Sequence, residues 1–187
     1  MRIIAGTAGG IPLLTPKSDA RPTTDRVRSA IFSMLAHSVH AARVVDLFAG
    51  SGALGLEALS RGAASAVFVD NDPKATTVIQ RNAEKARLLG AVKIETTEVF
   101  TWLQQASSSA QIVFADPPYK KRAGDSDMVA ALLAAPGLLR ILAPAGMLVL
   151  ESLAERDSFL VPAPWTLLEQ RAYGMSQVSF LQLRQSS

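Results

Sequence analysis

The chain has 187 residues, 49% of them hydrophobic and 19% charged, a balance that suits one globular domain with a buried core and excludes a disordered chain. It contains no cysteine, which excludes disulfides, zinc–thiolate sites and thiol catalysis. No apolar run reaches membrane-spanning length and no signal-peptide core is visible, so no membrane association is expected and the cytoplasm is the expected compartment. The net charge of +3 is concentrated at one end: residues 1–28 carry Arg2, Lys17, Arg21, Arg26 and Arg28 against Asp19 and Asp25, and the rest of the chain balances to zero. Four of these five cations are arginines, the better phosphate fork, so the arm points to a polyanion partner.

In chain order, Arg2 to Leu14 reads as a short hairpin: Ile3-Ile4, a turn through Gly6 to Gly10, then Ile11 to Leu14. Residues 1–22 are thus an arm on a single domain spanning 1–187, with Lys17 to Pro22 as a polar connector. Thr23 and Thr24 are N-cap candidates, and Val27, Ile31, Met34 and Leu35 recur at helical spacing. The other face of that helix is expected to present Arg26 and Arg28. His37 and His40 lack a partner at ligand spacing and read as surface or C-terminal capping residues.

Val44 and Val45 begin a buried strand that turns through Phe48-Ala49-Gly50-Ser51-Gly52 into a helix carrying Leu54, Leu56, Ala58 and Leu59. Ala66 to Asp70 is a second strand. Asp72-Pro73 starts a helix that Ala75, Val78, Ile79, Ala83, Ala86 and Leu89 carry to Gly90. Val92 to Thr96 is a third strand, Val99 to Leu103 a short helix with Trp102 in the core, and Ile112 to Ala115 a fourth strand. Asp127 to Ala135 and Pro136 to Leu142 read as helical, and Gly146 to Glu151 as a fifth strand. Trp165 to Ala172 and Gln177 to Arg184 form a terminal antiparallel pair about Tyr173-Gly174. Strands alternating with helices predict a doubly wound α/β sheet.

A strand turning through glycines into a helix is a ligand seat, because the backbone can approach the ligand and the first helical N–H groups point into the gap. Gly50-x-Gly52-x-x-Gly55 fits a dinucleotide fingerprint, but Asp46, near the end of the strand, would repel a pyrophosphate. It suits instead the ammonium and sulfonium of S-adenosylmethionine. Asp70, at the end of the second strand, is placed to accept from ribose hydroxyls, with Asn71 beside it. Glu98 and Val99 lie where an adenine could be read; helix N-cap and core are the competing roles.

Asp116-Pro117-Pro118-Tyr119 follows the fourth strand directly, on the same edge of the sheet. Its prolines fix the backbone and remove N–H donors, leaving the Asp116 carboxylate and the Pro117 carbonyl as paired acceptors for an exocyclic amine. Accepting both N–H bonds localises the nitrogen lone pair, and Tyr119 offers a face on which a flipped base can stack. Lys120, Lys121 and Arg122 come next and, with Arg21, Arg26 and Arg28, could grip the phosphates around that base.

Asp116 to Tyr119 resembles the amino-methyltransferase signature of class I S-adenosylmethionine-dependent enzymes. Together with Arg21-Pro-Thr-Thr-Asp-Arg-Val-Arg28 and Phe48 to Gly62, it makes nearly the whole chain similar to the RsmD family of bacterial 16S ribosomal RNA guanine-N2 methyltransferases. The resemblance implies a Rossmann-like, seven-stranded, mostly parallel sheet. It implies cofactor contacts from Asp46, Phe48, Gly50, Ser51, Gly52 and Asp70, with Asn71 beside them, and adenine contacts from Glu98 and Val99. Asp116 to Tyr119 would hold the guanine, S-adenosylhomocysteine would be the product, and the substrate would be 16S rRNA in an assembled small-subunit particle. No metal is expected and a monomer suffices.

Two other classes share parts of the pattern. A nicotinamide oxidoreductase would use the glycine loop and Asp70 but not Asp46 or the Asp-Pro-Pro-Tyr run. A non-catalytic RNA-binding module would use the basic arm alone. Among methyltransferases, an adenine-N6 DNA enzyme would share the amine-accepting motif, which recognises an amine and not a particular base.

Overall fold

The computed structural model describes residues 1–16, 24–107, 109–118, 127–154 and 161–184. Its strands are β1 (Arg43–Leu47), β2 (Ser65–Asp70), β3 (Val92–Thr96), β4 (Ala110–Ala115), β5 (Leu142–Leu153), β6 (Trp165–Tyr173) and β7 (Ser176–Leu183). They form one seven-stranded sheet in the order β3-β2-β1-β4-β5-β7-β6. The first five in that order pair in parallel, and β7 runs antiparallel to both β5 and β6. The order reverses between β1 and β4, which makes the carboxyl ends of those two strands the topological switch point.

Parallel strands buried on both faces must be apolar throughout, and alternate residues supply two separate cores. On one face Val44, Phe68, Ile112 and Phe114 pack with α1 (Asp25–Leu35), α2 (Ala53–Ser60) and α3 (Pro73–Lys85). On the other, Val45, Leu47, Val113 and Leu148 pack with α4 (Val99–Gln105), α5 (Met128–Ala134) and α6 (Pro136–Ile141). The helix starts follow their caps. Thr24 Oγ1 accepts the Val27 N–H, Asp72 accepts that of Lys74 with Pro73 next in line, and Asp127 accepts that of Ala130.

The arm is held by one isolated bridge, Arg2 to Pro12, with Ile3 N–H donating to Ile11 O at 3.0 Å. It docks on α2: Glu57, fully buried, accepts the N–H groups of Ile4 and Ala5, and Ser60 Oγ accepts that of Ala8. Gly6 is required there, since a Cβ would stand 1.9 Å from the Ser60 carbonyl oxygen.

Several sequence expectations need correction. The helix expected to reach Gly90 ends at Lys85, because Arg87 turns into the left-handed region (φ 57°) and a short 3-10 turn over Leu89–Ala91 follows. Trp102 is only partly buried, against the second core. Arg28 does not face outward with Arg26. Its side chain is buried between α1 and the arm, where Nη2 donates to the Arg2 carbonyl and to Asp25 at 2.9 Å. Thr23 and the connector Lys17 to Pro22 lie outside the described residues. Among the described residues no helix is long and apolar enough to cross a membrane.

Candidate active site

The loop between β1 and α2 is bent by three left-handed residues, Phe48 (φ 58°), Gly50 (φ 54°) and Gly52 (φ 75°). A non-glycine residue in that region is strained, and it persists here because the loop is pinned from several sides. Ala49 N–H donates to Val69 O at 3.1 Å, Gly50 N–H to Asp70 Oδ2 at 2.8 Å, and Gly52 N–H to Ala49 O at 2.7 Å. Each glycine has its own reason. A Cβ on Gly55 would stand 2.3 Å from the Phe68 ring, so α2 can lie this close to β2 only without a side chain there. A Cβ on Gly50 would meet nothing nearer than Phe48 O at 4.0 Å, so the space over the loop is open to a ligand. Phe48 and Ser51 flank that space, both half-buried.

Asp46 lies beneath the loop on β1, 3% exposed, and Oδ2 accepts the Gly55 N–H at 2.9 Å. Burial pushes its pKa up to about 7; the Gly55 hydrogen bond lowers it and the nearby Asp70 charge raises it further. A buried carboxylate that is costly to ionise, next to a loop open to a ligand, is suited to a cationic ligand that would restore its charge. The site therefore fits the ammonium and sulfonium of S-adenosylmethionine and disfavours a pyrophosphate.

Asp70 ends β2 and uses both oxygens locally: Oδ2 takes the Gly50 N–H and Oδ1 the Asp72 N–H at 2.9 Å. Each oxygen keeps a second lone pair, so the same carboxylate that shapes the loop can also accept from ribose hydroxyls. Asn71 is exposed beside it. Glu98 caps α4, accepting the Thr101 N–H at 2.8 Å, and Val99 is buried in the second core at 2% exposure. The cap-and-core roles are therefore filled. What these two residues can still present is the outer rim of the Glu98 carboxylate and a backbone N–H of the first helical turn.

In the β1–β4 register Leu47 stands opposite Ala115, so Phe48 and Asp116 leave the sheet side by side at the switch point. Asp116 is half-buried, Pro117 buried and Pro118 exposed. Tyr119, Lys120, Lys121, Arg122 and Arg21 lie outside the described residues. Of the cations expected to meet RNA, Arg26 is exposed and lines an open groove with Arg2, Ile4, Gly10, Asp25 and Ser29, whereas Arg28 is walled in. Among the described residues no cluster of His, Asp or Glu could hold a metal.

Two residues essential to this arrangement were not singled out in the sequence. Glu57 anchors the arm. Asn82, fully buried in α3, donates to the Ser51 carbonyl at 2.9 Å. A polar residue on the apolar stripe of an amphipathic helix was the available signal for Asn82, since asparagine is a poor helix former and needs partners when buried.

A glycine loop and a buried carboxylate on one strand end, with an acceptor motif on the adjacent one, define a class I S-adenosylmethionine-dependent methyltransferase on this sheet order. The chain belongs to the RsmD family: the family model described as conserved hypothetical protein 95 matches residues 1–182. It is 37% identical over 175 residues to the ribosomal RNA small subunit methyltransferase D of Escherichia coli, covering 93% of this chain and 85% of that one. It is 31% identical to the putative rRNA methyltransferase YlbH of Bacillus subtilis, covering 98% and 100%. Its fold matches the solved structure of the putative methyltransferase yhhF from Escherichia coli with a TM-score of 0.82 at 32% identity, over 98% of this chain and 97% of that one.

Proposed function

We propose that the chain transfers a methyl group from S-adenosylmethionine to the N2 amine of a guanine in 16S rRNA, acting as a monomer on small-subunit particles. The observation that carries this reading is the pairing of β1 with β4. With Leu47 opposite Ala115, Asp46 and Asp116 lie close to neighbouring strand ends, which supports one shared site for cofactor and amine. The name of the Escherichia coli relative supports the RNA substrate.

When bound, S-adenosylmethionine supplies an electrophilic methyl group on a sulfonium. Asp46 would balance the cationic end of the cofactor, the loop from Phe48 to Gly52 its backbone contacts, and Asp70 with Asn71 its ribose. Glu98 and the backbone at Val99 would meet its adenine edge. Asp116 and the Pro117 carbonyl would accept the two N–H bonds of the guanine amine, and the stiff Pro117-Pro118 backbone would hold those acceptors in place. Tyr119 would stack on the base. Rate enhancement would come from orientation of the amine; as the methyl leaves sulfur the nitrogen would shed one proton to solvent during or after transfer, so neither a histidine base nor a metal is required. Arg26, Arg21 and Lys120 to Arg122 would hold the surrounding phosphates.

The test is methyl mapping on rRNA from cells lacking this protein, complemented with wild type or with Asp116→Ala. The reading requires one guanine-N2 methyl to vanish, to return with wild type and to stay absent with the variant. Loss of an adenine-N6 methyl from DNA instead would replace the substrate assignment.

A further inference from the structure

Asn82 joins two parts of the chain that are far apart in sequence. Its Oδ1 accepts the Leu14 N–H at 2.8 Å, and its Nδ2 donates both to the Leu14 carbonyl at 3.0 Å and to the Ser51 carbonyl at 2.9 Å. One fully buried amide therefore holds the end of the arm and the middle of the glycine loop together. The same face of α3 reinforces both attachments. Three residues before Asn82, Ile79 fills the space beside Gly52, where a Cβ would meet its Cγ1 at 3.2 Å. Three residues after it, Lys85 donates to the Pro12 carbonyl at 2.8 Å.

We infer that Asn82 is a positioning residue for the cofactor loop and that it couples cofactor binding to the placement of the N-terminal arm. The physical basis is that all three hydrogen bonds of the bridge run between backbone groups and one buried amide, so neither end can shift without leaving a polar group of that amide unpaired. Ser51 lies in a strained loop whose shape sets the ligand seat, and Leu14 leads directly into the connector toward Arg21. A ligand that orders the loop thereby orders the arm, and by linkage an arm held on a substrate tightens the loop by the same factor. The inference rests on the reading that the Phe48 to Gly52 loop binds the cofactor.

The experiment is amide hydrogen exchange on the wild-type chain with and without S-adenosylhomocysteine, joined to calorimetry on Leu14→Pro. That substitution removes the N–H that Asn82 Oδ1 accepts, at a residue that is 45% exposed, and also fixes φ there and restricts the Leu13 backbone. Coupling predicts slower exchange at Leu14 together with Gly50 and Gly52 when the ligand is bound. It also predicts S-adenosylhomocysteine affinity weakened roughly three- to tenfold in Leu14→Pro, as for one lost hydrogen bond. Protection of the loop amides without Leu14 would overturn the coupling while leaving the cofactor site intact. No protection of the loop amides at all would instead reject the site. Should Leu14→Pro fail to fold, the exchange experiment decides alone.

Discussion

The Asp70 carboxylate holds the Gly50 N–H at 2.8 Å across a sequence separation of 20 residues, so the end of β2 shapes the loop that follows β1. One side chain thus fixes the backbone of the loop, and under the proposed function its remaining lone pairs would accept from the cofactor ribose. Asp70→Ala should cost more than a ribose contact alone, because the loop relaxes too. Loss of a charge-assisted hydrogen bond is worth roughly 1.5–3 kcal/mol, so S-adenosylhomocysteine affinity should fall at least about tenfold. Calorimetry on the folded variant measures it, and unchanged affinity would remove Asp70 from the site.

If Asp46 faces the cofactor as proposed, cofactor binding should depend on pH. Its folded pKa is pushed up to about 7 by burial, above the ordinary aspartate value of 3.8. The free protein therefore keeps the proton through a range in which the unfolded chain has lost it, and its stability falls as pH rises from the ordinary value to about 7, then levels off. A bound cation favours the ionised form, so binding releases the proton. Affinity for S-adenosylmethionine should rise with pH below about 7 and flatten above it. Asp46→Asn should weaken binding and abolish that slope; titrations from pH 5.5 to 8.5 would show whether the slope survives.

Asp116 is expected to act on the amine and not on the cofactor. Asp116→Ala should leave melting temperature and S-adenosylhomocysteine affinity near wild type while lowering methyl transfer on the order of a hundredfold or more, as when one preorganised polar group is lost at a reacting centre. Single-turnover rates on small-subunit particles are the readout, and near-normal turnover would make the motif structural.

Arg26 and Arg28, two positions apart on α1, should behave in opposite ways. Arg26 is exposed, so Arg26→Ala should reduce the salt dependence of RNA-particle binding by about one unit of slope and leave stability unchanged. Arg28 is fully buried against Asp25 and the Arg2 carbonyl. Arg28→Ala should leave the salt slope alone and lower Tm, by roughly 2–4 °C for each kcal/mol lost. A salt series and a thermal melt on both variants separate the two roles, and a reduced salt slope in Arg28→Ala would reinstate it as a phosphate contact.

Local chemistry carried much of this fold into the sequence. The apolar runs Val44-Val45 and Ile112 to Ala115 announced strands covered on both faces, Asp72-Pro73 announced a helix start, and the glycines after Phe48 announced a tight seat. Each of those signals depends on neighbours in sequence: a cap needs a residue two or three positions on, and a left-handed turn needs a missing side chain at that position. The placement of Asp46, Asp70 and Asp116 at or just beyond strand ends was legible for the same reason, since the end of a parallel strand follows from the apolar run before it. Arg28 was misread because helical spacing assigns a charged residue to the wet face unless a distant partner receives it. Here Arg2, brought over by the arm, supplies a carbonyl. Glu98 and Val99 were ambiguous because a cap and a ligand contact use the same residue types at the same place. The partners of Asn82 and Glu57 could not be assigned from sequence, because Leu14, Ile4 and Ala5 reach them only when the arm folds back over α2 and α3, and Ser51 reaches Asn82 only when the loop after β1 packs against α3. The sequence by itself determined the strand–helix alternation and the chemistry at the strand ends. Tertiary structure decided which polar groups are withdrawn from water, because burial and long-range hydrogen bonds arise from packing between segments that no local pattern records.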